Sequence, residues 1–207
     1  MNPAQVIAAL EGSLDRPDAR PRMGGAPRER GDYDLNPEYR PEGRLTPAAV
    51  LVPLIRHAAG MSVLLTLRTD HLNDHAGQVS FPGGKIDDTD TDAIEAALRE
   101  TQEEVGIEPE RVEVVGRLDD YITGTGFTIT PVVGLLTPGF TVTPDPFEVA
   151  DVFEVPLDFF LDTANHHRES RFWKGRERHF YVMPYEDRYI WGATAGMLVN
   201  LHDALKD

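Results

Sequence analysis

The sequence predicts a mixed α/β (α+β) fold in which strands outnumber helices. Three observations lead there. Short apolar runs rich in Val, Ile and Leu recur between turn-forming residues, as strands do. Two segments, Asp92 to Val105 and Ala193 to Asp207, carry their apolar residues at helical spacing. The chain has 207 residues, 41% hydrophobic and 27% charged, which suits one domain with a core of its own plus appendages.

In chain order, the first element is a short helical start through Val6, Ile7 and Leu10. It runs into DRPDARPRMGGAPRERGDYDLNPEYRPEGR, which holds Arg16, Arg20, Arg22, Arg28, Arg30, Arg40 and Arg44, seven of the 20 basic residues. Proline and glycine oppose regular structure, so residues 1–44 read as an N-terminal arm and residues 45–207 as the domain. The arm is either a solvated linker or an arginine-rich contact, made with an anionic substrate or with the partner subunit of a homodimer. From Thr46, AAVLVPLIR and MSVLLTLR, split by HAAG, read as adjacent strands. HAGQVSFPGG follows, with Val79 and Phe81 alternating before a bend at Gly83 and Gly84.

The helix from Asp92 to Val105 lines up Ala93, Ile94, Ala97, Leu98, Thr101 and Val105. Thr91 or Asp92 is its N-cap, and Gly106 stands where a left-handed C-terminal residue belongs. More strands are expected in VEVVGRL, FTITPVVGLL, DVFEVPL, ERHFYVMP and DRYIW, and the closing helix has one apolar face. There is no internal repeat.

Composition narrows the chemistry. The chain has no cysteine, which excludes disulfides, thiolate metal sites and cysteine nucleophiles. No run reaches the roughly 18 apolar residues of a membrane-spanning helix. The N-terminus lacks the cationic start and apolar run of a secretion signal, so a cytoplasmic protein without a membrane partner is expected. Formal net charge is −15, a balance that repels nucleic acid. It would also repel a phosphorylated small molecule unless local arginines or divalent cations mediate.

On the predicted helix, Glu100, Glu103 and Glu104 lie three and four residues apart and share a face. Taken by itself, such a cluster reads as a solvated face. The glycine pair upstream offers a second reading, in which backbone carbonyl and helix carboxylates form an all-oxygen site suited to Mg2+ or Mn2+. Arg99 stands beside the cluster and can orient one carboxylate.

Gly84, Arg99-Glu100, Glu103-Glu104 and Gly106-Ile107 resemble the Nudix box of hydrolases that act on nucleoside diphosphates linked to other groups. The match departs from the family pattern in two places. Asp90 stands for the first glutamate and is followed by eight residues rather than seven, and Thr101 replaces an aliphatic residue. The resemblance implies the Nudix fold, a mixed β-sheet core sandwiched between helices and bearing a loop–helix–loop motif. It also implies Mg2+ or Mn2+ held by Glu100 and Glu104, with Glu103 a further ligand or the base. Gly84 would stand beside the metal, and Arg99 would orient Glu100.

Upstream, LLTLRTDHLNDHAGQVSFPGG resembles the extended signature of the coenzyme A diphosphatase branch. Leu64, Leu65, Thr66, Arg68, His75, Gly77, Val79, Phe81, Pro82, Gly83 and Gly84 carry that likeness. TGFTITPVVG, FEVADVFEVPLDFF and IWGATAGML look like the same branch, so the resemblance spans about residues 45–201. It implies hydrolysis of coenzyme A to 4′-phosphopantetheine and adenosine 3′,5′-bisphosphate, with Arg68, His75, Gly83 and Gly84 at the substrate. Alternatives are another nucleoside diphosphate derivative, such as ADP-ribose or NADH, and an inactive nucleotide-binding regulatory module.

Several residues keep two readings. Glu148 is the general base, in competition with Glu103, or a plain exposed carboxylate in a proline-bounded loop. His75 touches substrate or braces its loop, and Arg68 meets a phosphate or pairs with a nearby acid. Asp119 and Asp120 read as a turn, His166 and His167 have no evident ligand partner, and Trp191 reads as core rather than a stacking platform.

Overall fold

The structure, a computed structural model, describes residues 1–14, 29–72, 75–173 and 175–206. Arg16, Arg20, Arg22 and Arg28 of the expected arm lie outside the described residues. The elements run α1 (Pro3–Ala9), β1 (Glu29–Gly31), β2 (Thr46–His57), β3 (Gly60–Arg68), β4 (Val79–Ser80), β5 (Gly83–Lys85), α2 (Ala93–Val105) and β6 (Val112–Arg117). There follow β7 (Asp120–Ile122), β8 (Phe127–Leu136), β9 (Val149–Pro156), α3 (Leu157–Leu161), β10 (His167–Trp173), β11 (Arg176–Tyr185), β12 (Arg188–Trp191) and α4 (Gly192–Lys206).

Strands β1 to β9 form one mixed sheet along the path β1-β7-β8-β2-β3-β4, with β5 paired to β2, β6 to β8 and β9 to β3. Its centre is β2, parallel to β8 from Thr46↔Phe127 to Ile55↔Leu136 and antiparallel to β3. The unbroken apolar run of β2 follows from burial on both faces. Ala49 and Leu51 pack with Ala93, Ala96 and Ala97 of α2. Val50, Val52 and Leu54 share the opposite core with Leu198 and Leu201 of α4. The sheet thus lies between helices, and α2 is pressed against its middle.

A second antiparallel sheet, β10-β11-β12, adjoins α4. Strand β10 had no counterpart in the sequence reading, for a physical reason. Its described side chains from His167 to Phe172 are all exposed, so no alternation of apolar and polar residues marks it. Trp191 is half-buried and meets Phe180 edge-on at 5.3 Å, a packing role. His166 is engaged with the Phe160 carbonyl at 2.8 Å. Asp119 lies in the turn after β6, and Asp120 opens β7, accepting from the Thr130 hydroxyl at 2.8 Å.

The described residues ahead of residue 45 are woven into the same body. Val6 and Leu10 are 0% and 3% exposed in the main core, and β1 pairs in parallel with β7. Asn36 donates to the Asp32 and His179 carbonyls at 2.7 and 2.8 Å and accepts from the His179 amide at 2.8 Å. Arg30 pairs with Asp203 of α4 at 2.7 Å. A solvated linker does not describe these residues. Their anchors are single apolar and amide side chains, which stand out poorly among the prolines and glycines.

Candidate active site

Helix α2 begins and ends as its caps dictate. The Asp92 carboxylate accepts from the Ile94 and Glu95 amides at 2.8 and 2.9 Å, and Gly106 closes the helix at φ 72°. Thr101 is fully buried in place of an aliphatic residue because its hydroxyl donates to the Ala97 carbonyl at 2.6 Å. Two carbonyls at the helix end are capped by the loop ahead of β9: the Thr143 amide donates to Val105 at 2.8 Å and the Asp145 amide to Glu104 at 2.9 Å.

The three glutamates meet different surroundings. Glu104 faces the sheet and is only 4% exposed, the Glu100 side chain is 20% exposed, and that of Glu103 is 61% exposed. Two upstream residues converge on Glu104. The Gly83 amide donates to its Oε2 at 3.1 Å and Arg68 Nη1 to its Oε1 at 3.4 Å. Arg68 Nη2 also lies 3.7 Å from Glu148, while its Nε is buried with no hydrogen-bond partner among the described residues. Burial pushes the Glu104 carboxyl up to about 7, against the Gly83 amide and Arg68, and with added repulsion from Glu148 and Glu100. Burial also raises Glu100, partly offset by Arg99.

Arg99 bridges the other end of the cluster. Its Nε and Nη2 grip Asp90 at 2.9 and 3.0 Å, a bidentate fork, while Nη1 reaches Glu100 at 2.9 Å and Glu103 at 3.2 Å. The Asp90 side chain is 3% exposed, and its hydrogen bond to Arg99 holds its carboxyl below the usual range. The extra residue in the motif therefore does not displace this acid from Arg99.

The glycine pair acts differently from the expected bend. Gly83 and Gly84 belong to β5, which runs antiparallel to β2 with Gly83 opposite Val50 and Gly84 opposite Ala49. Glycine is needed here for close approach. Gly83 has φ 148° and abuts the β2 backbone, and a Cβ at Gly84 would lie 2.5 Å from the Glu100 carboxylate carbon. Gly83 thus makes room for β2, and Gly84 for the Glu100 carboxylate.

Among the described residues, no three carboxylate or imidazole groups converge on one point, because Glu104 is turned to Gly83 and Arg68 while Glu100 and Glu103 are turned to Arg99. The donor chemistry nevertheless fits a hard divalent cation. The groups offer oxygen only, and two carboxylates withdrawn from water with raised pKa gain from a nearby positive charge.

Of the residues singled out in the sequence, Arg68, Gly83, Gly84, Arg99, Glu100 and Glu104 meet in one cluster, with Glu148 joined to it through Arg68. Glu103 stays on the solvent side, held by Arg99. His75 is exposed at φ 58° and hydrogen-bonds Gln78 at 2.9 Å, which braces its loop. That loop in turn receives the Arg68 amide on the Gln78 carbonyl at 3.0 Å. Asp90 as partner of Arg99, and Thr69 with Phe147, escaped the sequence reading. Asp90 carried a signal as the acid at the motif's glutamate position; Thr69 and Phe147 carried none.

A model of the NUDIX domain matches residues 45–174. The chain is 44% identical over 154 residues to the uncharacterized Nudix hydrolase NudL of Escherichia coli strain K12, spanning 74% of this chain and 80% of that protein. It is 45% identical, over the same shares, to a protein of the same name from Citrobacter koseri. A solved Nudix hydrolase of M. smegmatis, RenU, aligns with a TM-score of 0.48 at 21% identity, over 69% of this chain and 81% of that one.

Proposed function

The chain belongs to the Nudix family, and from that premise we propose that it hydrolyses the diphosphate of coenzyme A or a coenzyme A derivative, releasing 4′-phosphopantetheine and adenosine 3′,5′-bisphosphate. The observation that carries this reading is the meeting of two motifs on one carboxylate. Arg68 and Gly83, both from the stretch that resembles the coenzyme A diphosphatase signature, contact Glu104 of the glutamate helix. In this proposal the reaction takes place in the cytoplasm and depends on Mg2+ or Mn2+.

In the proposed mechanism Glu100 and Glu104 would hold the divalent cation, Gly84 would offer a backbone carbonyl, and Glu103, 61% exposed, would be a further ligand. A bound divalent cation would neutralise diphosphate charge and acidify a bound water. Asp90 fixes Arg99, and Arg99 fixes the Glu100 carboxylate. Arg68 is positively charged and its side chain keeps 23% exposure, which suits its guanidinium to a substrate phosphate. Glu148 lies 3.7 Å from Arg68 and is 42% exposed, so we assign it the proton from the attacking water; Glu103, already engaged by Arg99, is the competing base. His75 serves by holding the loop that flanks Arg68.

The test is mass-spectrometric product analysis with Mg2+ or Mn2+ against coenzyme A, ADP-ribose, NADH and a diadenosine polyphosphate in parallel. Preferential formation of 4′-phosphopantetheine and adenosine 3′,5′-bisphosphate is expected. Preference for another substrate would refute the coenzyme A reading and keep the carboxylate chemistry. Cleavage of none would refute the enzymatic reading and favour a binding module.

A further inference from the structure

One large aromatic side chain is left open next to Glu148. Phe147 is 63% exposed and belongs to no core cluster, although it directly precedes Glu148. Its backbone is held firmly. The Phe147 amide donates to the Asp145 carboxylate at 2.9 Å, and its carbonyl accepts from the Thr69 hydroxyl at 2.8 Å. The Thr69 amide donates to the Glu148 carbonyl at 3.0 Å, and the Asp145 amide to the Glu104 carbonyl at 2.9 Å. The loop is thereby tied both to the residue after Arg68 and to the end of the glutamate helix. Its ring meets His71, itself exposed, in an edge contact with centroids 4.9 Å apart.

We infer that Phe147, with His71 at its edge, is the stacking platform for the nucleobase of the substrate and so a determinant of specificity for the nucleotide half. The inference rests on the reading above, that the substrate is a nucleoside diphosphate derivative. An exposed phenyl ring gains little from water, and its rigid support means that little freedom is lost when a flat partner settles on it. Every nucleobase has such a π-face. Glu148 directly follows Phe147 in the chain and lies 3.7 Å from Arg68, which in turn pairs with Glu104, so a diphosphate among these groups leaves an attached nucleoside within reach of Phe147. A flexible amide arm lacks the planar face that would match the ring.

Two variants test this. F147W places an emitter on the platform, and its fluorescence is compared with that of the parent protein, which already contains Trp173 and Trp191. Titration with adenosine 3′,5′-bisphosphate is expected to quench F147W saturably and beyond the parent, whereas 4′-phosphopantetheine is not. No extra quenching by the bisphosphate, or quenching by 4′-phosphopantetheine only, overturns the inference. F147A is expected to raise KM for a cleaved nucleoside diphosphate derivative about 10-fold with kcat within about 2-fold, and F147Y to restore it. An unchanged KM in F147A also overturns it. A parent protein that cleaves no such substrate defeats the proposed function, and the quenching titration still decides on the platform.

Discussion

Replacing Glu104 by glutamine separates what this carboxylate does for chemistry from what it costs the fold. Its side chain is only 5% exposed, so its charge bears on the fold as well as on the chemistry. Burial moves its carboxyl from an ordinary 4.5 to about 7. The sign follows from linkage. Between those values the folded chain binds more protons than the unfolded one, so metal-free stability falls as pH rises through the window. At ~1.4 kcal/mol per pKa unit, the fall reaches about 3 kcal/mol by pH 7 and is complete only above about pH 8. The amide in E104Q cannot ionise and escapes this loss, though it gives up the attraction to Arg68. In EDTA, the melting temperature of the parent should drop relative to E104Q by roughly 6–12 °C between pH 4.5 and pH 8, at about 2–4 °C per kcal/mol for a chain of this size. Added Mg2+ should recover the parent and leave E104Q unmoved, while E104Q loses most activity. Parallel pH curves for the two proteins in EDTA would refute a buried, raised carboxyl at this position.

Other perturbations are simpler to state. Asp90→Asn removes the charged half of the fork to Arg99, and steady-state assays should show activity reduced about 10-fold or more, with partial recovery in Asp90→Glu; an unaltered rate would remove Asp90 from the site. Gly84→Ala brings a methyl group against the Glu100 carboxylate, a movable side-chain end, so stability by urea titration should change by less than about 1 kcal/mol while metal-dependent activity falls at least about 10-fold. Equal losses of both would mean that the glycine serves packing only. Asn36→Ala leaves the His179 backbone pair without its partner and should cost about 2 kcal/mol in urea unfolding, and deletion of residues 1–44 should cost more. Deletion without loss of stability would restore the picture of a separate arm.

The sequence was most legible where one short segment contains both the signal and its consequence. The caps of α2 could be read from Asp92 and Gly106 because a helix end is satisfied by its own neighbours. The unbroken apolar runs of β2 and β3 mark strands covered on both faces, and the shared face of the glutamates follows from helical periodicity in the same way. Legibility failed where a residue's role depends on a distant partner. Gly83 and Gly84 read as a bend, because nothing local reveals that β2 and Glu100 crowd against them. The described side chains of β10 from His167 to Phe172 are all exposed and leave no pattern, while α1 packs on α4 and Asn36 bonds His179, partners more than a hundred positions away.

The chain by itself determined its class of chemistry. An all-oxygen carboxylate set, a neighbouring arginine and the absence of cysteine follow from residue identity and helical spacing, and no later folding event can change them. The tertiary structure alone decided how those carboxylates differ. Packing α2 against β2 and β5 sank Glu104, half-sank Glu100 and left Glu103 in water, and it set Asp90 against Arg99 and Phe147 in the open. Desolvation is a property of what surrounds a group in space, so equal letters on one helix acquired unequal proton affinities only when the sheet closed over them.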